Sequence, residues 1–256
     1  MRFPPAAASL ILFAASQAHA ESPALPQCAA KPVVVFENGA NETVDTWDKV
    51  IAPIEPDVTI FAYDRPGYGK AEPTTRPRDG RTIVEDLRAA LRRQGLQPPY
   101  VLVGHSLGGM YMQLFARAYP DEVQGLVLVD SMYPGMLKKA DDFPWYTRAG
   151  KRMFFSRTVG LEIDAAYDTG AQILALPWSG RIPVERLINQ PRSAGAVGVD
   201  FGMFNGGPKL VATIEGLYPN AHTTVVDSDH RMQVATPDVV VAAIRRVLPK
   251  PAPPGC

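Results

Sequence analysis

The sequence offers little to a metal or redox centre: two cysteines and four histidines among 256 residues. Two cysteines make neither a zinc framework nor a disulfide scaffold. Net charge is also missing, with Lys+Arg 26 against Asp+Glu 26. The basic excess of a nucleic-acid binder is therefore absent. Disorder is excluded from the other side, because 46% of the residues are hydrophobic and a disordered chain needs low hydrophobicity with high net charge. Beyond the N-terminus, no stretch approaches the ~18 apolar residues that a membrane span requires. A chain of this length can bury a large core, as one α/β or all-β domain or as two. Proline is abundant, 25 in all, about twice the ~5% average, and much of it sits at the two ends.

Residues 1–20 read as a leader. Arg2 precedes an apolar run from Ala6 to Ala15, and Ala18-His19-Ala20 puts small residues where a signal peptidase cuts. The expectation is an exported protein, periplasmic or secreted, with no membrane anchor after cleavage. Export changes how the cysteines read. Cys28 falls in a Pro-rich extension, 21–31, and Cys256 ends a Pro-rich tail, 249–256. In an oxidising compartment the two are expected to pair, since chain termini often lie close together. Two unpaired thiols on frayed tails is the alternative.

Between the tails, residues 32–248 alternate apolar runs with helical periods. Val33 to Phe36, Val58 to Tyr63, Tyr100 to Val103 and Leu126 to Val129 read as buried strands. Thr82 to Glu85 reads as a capping box opening a helix that Gly95 stops. Ser106 to Ala118 is a second helix, and Thr236-Pro237-Asp238 starts a last one running to Leu248. Buried strands alternating with amphipathic helices imply an α/β fold, a mostly parallel sheet with helices on both faces. Residues from 131 to about 180 break the rhythm and read as a small helical cap. Its aromatics, Trp145, Phe154 and Phe155, suit either an apolar substrate or simple packing of the cap on the body. Ile182 to Ile188 is a weaker strand, spoiled by Glu185 and Arg186, and Thr223 to Val226 a short last one. Gly195 to Gly207 reads as a connector, because it lacks the Gly-Lys-Ser/Thr ending of a phosphate loop.

The chemical signal is Gly104-His105-Ser106-Leu107-Gly108-Gly109, between a strand and a helix. Small residues two before and two after a serine allow the sharp turn that lifts its oxygen clear of the sheet. The helix beginning there aims its N-terminal amides at a developing oxyanion. Such a serine needs a base. His19 leaves with the leader, His105 is spent in the turn, and His222 precedes the last strand. His230 follows that strand in Asp227-Ser228-Asp229-His230, at the sheet edge where open α/β folds bind ligands. His230 is therefore the candidate base.

These segments together resemble the α/β-hydrolase family, over about Pro32 to Leu248. The likeness rests on Glu37-Asn38-Gly39-Ala40, on Tyr63-Asp64-Arg65-Pro66-Gly67-Tyr68-Gly69, on the serine turn, on Leu126 to Asp130 and on His230. It implies an α/β-hydrolase fold with Ser106 as nucleophile, His230 as base, and the Ala40 and Leu107 amides as oxyanion hole. The family commonly has His where Asn38 stands, which alters the pocket floor but leaves both amides. The resemblance implies hydrolysis of a carboxylic ester or similarly activated carbonyl in a small acyl substrate. It implies no cofactor, and the usual metal-ligand spacings are missing. Cofactor-free perhydrolases, carbon–carbon bond hydrolases and non-catalytic binding relatives share the pattern. Dehalogenase and epoxide-hydrolase relatives carry Asp where Ser106 stands. The acid partner of His230 is the least determined residue. Asp130, one step past the fourth strand, is expected, with Asp200 second and Asp229 third.

Overall fold

In a computed structural model of the chain, the described residues are 31–190 and 203–250. The leader, Cys28, Asp200 and Cys256 lie outside them. Strand β1, Val33–Glu37, is buried at every position, as a run of branched apolar residues demands when both sheet faces are covered. It is followed by a short helix α1 (Asp48–Ile51), β2 (Thr59–Ala62), α2 (Gly80–Arg93), β3 (Tyr100–His105), α3 (Ser106–Ala118) and β4 (Val123–Val129). Helices α4 (Trp145–Phe154) and α5 (Arg157–Leu174) then precede β5 (Val184–Asn189), α6 (Pro208–Leu217), β6 (His222–Val226), α7 (Met232–Ala235) and α8 (Pro237–Val247). The six strands form one sheet in the order β2-β1-β3-β4-β5-β6, and every pairing is parallel. Among the described residues no helix is long and apolar enough to cross a membrane.

The strands' period of two divides the interior into two cores. Val33, Val35, Leu102, Leu126 and Leu128 face α2, α3 and α5, where they meet Ile83, Leu87, Phe115 and Ile163. Val34, Phe36, Val101, Val103, Val127 and Val129 face α1 and α8, where Val50, Val240 and Ile244 wait. Each such side chain, fully buried, contributes about 1.5–3 kcal/mol of transfer free energy.

Three local expectations change. The cap of α2 is Asp79 rather than Thr82: its carboxylate accepts from the amides of Arg81 and Thr82, 3.1 and 3.4 Å away, and from the Thr82 hydroxyl at 2.8 Å. The charges in β5 do not spoil the strand, because each has a partner. Glu185 accepts from Arg246 at 2.7 and 2.9 Å and faces His222 Nδ1 at 2.9 Å. Arg186 donates to the Tyr133 hydroxyl at 3.1 Å. Of the inserted stretch, α5 is 18 residues long and packs on α2 and α3. The cap aromatics expected to pack on the body divide. Trp145 is 74% exposed and Phe154 69%, while Phe155 packs against the core. Gly95 ends α2 as expected, at φ 72°, with Leu96 N–H bonded back to Leu91 at 3.1 Å.

Candidate active site

Strand β3 runs into α3 without a linker, and Ser106 stands at the join with φ 51°. That left-handed conformation is uncommon for a residue with a Cβ, and such strain collects at functional positions. The surrounding glycines make it sterically possible. A Cβ on Gly104 would lie 2.7 Å from Gly109 Cα. One on Gly108 would lie 2.5 Å from the Glu37 carbonyl oxygen and closer still to that of Asn38. The helix start is thereby pressed against the loop that follows β1.

Three side chains from three sheet-edge loops form one line. His230 Nε2 lies 3.0 Å from Ser106 Oγ, and His230 Nδ1 lies 2.7 Å from Asp130 Oδ2. Asp130 has φ 39°. Its other carboxylate oxygen accepts from the Asn189 amide at 3.1 Å, so the acid ties the ends of β4 and β5 together. Partial burial opposes protonation of His230, but the Asp130 hydrogen bond and charge outweigh it, helped by Glu42 and Asp229. Its pKa is consequently raised above the ordinary 6.5. Asp229 is turned elsewhere, accepting from the Arg231 amide at 2.7 Å. His222, first in β6, stays with Glu185.

The loop after β1 is held from behind by Arg65, which is 1% exposed. Its Nη1 donates to Glu37 Oε1 at 2.7 Å and to the Asn38 carbonyl at 2.6 Å. Its Nη2 donates to the Gly39 carbonyl at 3.0 Å and to Glu162 Oε2 at 2.9 Å, and Nε donates to Glu162 Oε1 at 3.2 Å. A trans peptide carries its C=O and N–H on opposite sides. Pinning the Gly39 carbonyl to Arg65 therefore turns the Ala40 N–H the other way. The Ala40 and Leu107 amides donate to no protein oxygen among the described residues.

A profile of the alpha/beta hydrolase fold matches residues 32–183, more than half of the chain. The chain belongs to that family. An esterase from a marine microorganism superposes on this family member with TM-score 0.62 at 14% identity, over 87% of this chain and 97% of its own. A thermophilic esterase from Thermogutta terrifontis gives 0.59 at 18% identity, over 86% and 90%. Among curated sequences, the uncharacterized YqjL of Bacillus subtilis (strain 168) is 34% identical over 97 residues, 38% of each chain. A soluble epoxide hydrolase of Corynebacterium sp. (strain C12) is 34% identical over 111 residues, 43% of this chain and 38% of that one. The similarity thus spans well under half the length of either curated relative.

Sequence reasoning missed the residues behind the Asp130–His230–Ser106 line. His105, expected to be spent in the turn, donates from Nε2 to the His230 carbonyl at 2.8 Å, and its Nδ1 lies 2.7 Å from Glu42 Oε2. The two imidazoles lie 4.6 Å apart, centroid to centroid. Burial works against ionisation of Glu42, but the His105 bond and the Gly39 amide at 3.1 Å hold its pKa below the usual value. Deeper lies a buried set of four charges, Arg65 and Arg78 with Glu37 and Glu162. Arg78 donates to Glu162 at 3.1 Å through Nε and again, more closely, through Nη2. Tyr63 and Tyr68 donate to Glu37 and Glu162 at 2.7 and 2.6 Å. Desolvation raises the Glu37 pKa in spite of Arg65. At Glu162 burial also opposes the charge, but two guanidiniums and Tyr68 outweigh it and lower the pKa. One available signal was Glu162 itself, a lone acid among Val159, Ile163 and Ala166 on the inward face of α5.

Proposed function

We propose that the protein is a serine hydrolase that cleaves a carboxylic ester, or a similarly activated carbonyl, through an acyl-enzyme on Ser106. The observation that carries this reading is the unbroken Asp130–His230–Ser106 line, with spacings of 2.7 and 3.0 Å. His230 takes the Ser106 proton as Oγ attacks the carbonyl, then returns it to the leaving alcohol. Asp130 fixes the tautomer that leaves Nε2 free to accept, and stabilises the imidazolium formed. The Ala40 and Leu107 amides hold the oxyanion. Water, activated by the same His230, then releases the acid. The esterases of similar fold support the ester substrate class. Epoxide opening by a carboxylate nucleophile does not suit a chain with Ser106 at the turn. The leader at 1–20 makes the hydrolase an exported one, and Cys28 and Cys256 its disulfide.

A fluorophosphonate probe tests the reading. It should label Ser106 in the wild type and nothing in Ser106→Ala, with ester turnover lost in parallel. An unlabelled, ester-inactive wild type would mean a ligand-binding relative instead.

A further inference from the structure

Helix α4 is built inside out. A surface helix turns its apolar stripe to the core and its charges to water. At about 100° per residue, Trp145, Ala149, Met153 and Tyr146 share one stripe of α4, and Thr147 lies opposite. Thr147 is the buried one, at 3% exposure, whereas Trp145, Tyr146 and Met153 are 74%, 52% and 82% exposed. Arg148 and Arg152 flank the stripe and are exposed too. From Trp145 to Arg157 the chain carries four basic residues and no acidic one, within a protein of zero formal charge. Lys151 is bonded to Asp164. Arg148, Arg152 and Arg157 make no ion pair with any described residue. These guanidiniums and Lys151 line a cavity of about 590 Å³ on the same side of the molecule, with Asp141 and Asp164 in its wall.

An apolar stripe of this kind needs a cover, and the flanking charge selects it. A second copy docked on this stripe about a twofold axis would bring the same basic patch of both copies together, a repulsive arrangement. A surface that is apolar below and anionic above matches both features at once. Indole and phenol rings settle at the lipid headgroup level, a thioether chain penetrates the acyl boundary, and guanidiniums bind phosphate in bidentate fashion. We propose that α4 docks the protein peripherally on an anionic lipid bilayer, with Trp145, Tyr146 and Met153 in the interface and Arg148, Arg152 and Arg157 on lipid phosphates. This is surface attachment, distinct from a spanning anchor. It does not depend on the reaction proposed for Ser106.

Trp145 reports on the contact directly, since Trp47 is fully buried and Trp178 packs on Tyr218. Processed protein from cells expressing the full chain is mixed with vesicles of phosphatidylcholine, alone or with phosphatidylglycerol, and binding is read by co-sedimentation and tryptophan emission. The wild type should bind the anionic vesicles with a blue shift, bind the neutral ones at least about tenfold more weakly, and release in high salt. Trp145→Ser with Met153→Ser, and separately Arg148→Glu with Arg152→Glu, should each lose binding while melting like the wild type. Both pairs keep the chain ends, so any binding that survives them belongs elsewhere and overturns the proposal. So does equal binding to neutral vesicles, or none to anionic ones. A concentration-dependent dimer in sedimentation that Trp145→Ser abolishes would assign the stripe to a second copy.

Discussion

Replacing Arg65 with lysine keeps the buried charge and removes its shape. All five guanidinium N–H bonds are in use, two on Glu162, one on Glu37 and one each on the carbonyls of Asn38 and Gly39. An ammonium has three, so at least two acceptors lose their donor. Each buried acceptor left alone costs about 1–3 kcal/mol, giving about 2–6 kcal/mol against a total stability of ~5–15 kcal/mol. At roughly 2–4 °C per kcal/mol for a chain near this size, Tm should fall by about 10 °C. The two carboxylates attract the ammonium most strongly, so the neutral carbonyls are the acceptors released. With the Gly39 carbonyl free, the Ala40 amide loses its fixed direction. Loss of one oxyanion donor typically costs ~10²–10³ in kcat. The assay is ester turnover well below the variant's Tm, with affinity for a boronic-acid transition-state analogue measured beside affinity for the product acid. Analogue binding should weaken with turnover while product binding holds. Wild-type kcat in a folded Arg65→Lys protein would refute the strap argument, whatever happened to Tm.

Asp130→Asn should keep the fold and lower turnover by ~10²–10⁴ through a mis-set His230 tautomer. It also removes the charge that lifts the His230 pKa, so the acid limb of kcat/KM should move to lower pH. An unmoved limb would exclude Asp130 as the partner. The same raised pKa contributes stability that is full below about pH 6.5 and is lost as pH climbs through the folded value. The wild type should lose slightly more Tm over that rise than Asp130→Asn. Gly108→Ala forces a Cβ onto the Glu37 and Asn38 carbonyls, and should cost about 1–3 kcal/mol and most of the turnover. Intact mass before and after alkylation should show no free thiol at Cys28 or Cys256, and two free thiols would refute the pair.

The centre of the sheet was legible because β1, β3 and β4 carry runs of branched apolar residues, and the serine turn because glycine is required on both sides of it. His230 followed from how few histidines there are. Charged residues were read poorly. Glu185 and Arg186 look hostile to a strand until Arg246, His222 and Tyr133 are brought beside them by the fold, and no local pattern announces partners so distant in sequence. Arg65 read as part of a loop motif because its acceptors, two backbone carbonyls and the carboxylates of Glu37 and Glu162, all lie far from it in sequence. The outward face of α4 misled in another way: periodicity reports that a helix is amphipathic without saying which side meets the core.

The buried charges also constrain the order in which the chain can complete itself. Synthesis delivers Glu37, Arg65 and Arg78 first, two guanidiniums to one carboxylate. Glu162 arrives only with α5, well after β4. Until then the interior behind the Ser106 turn holds an unmatched positive charge, which a low-dielectric core does not accept. The nascent N-terminal half should therefore stay open at that place, a natural holding point for chaperones, and close when α5 emerges. A fragment ending after β4 should remain protease-sensitive between Glu37 and Arg78 although β1 to β4 are all present.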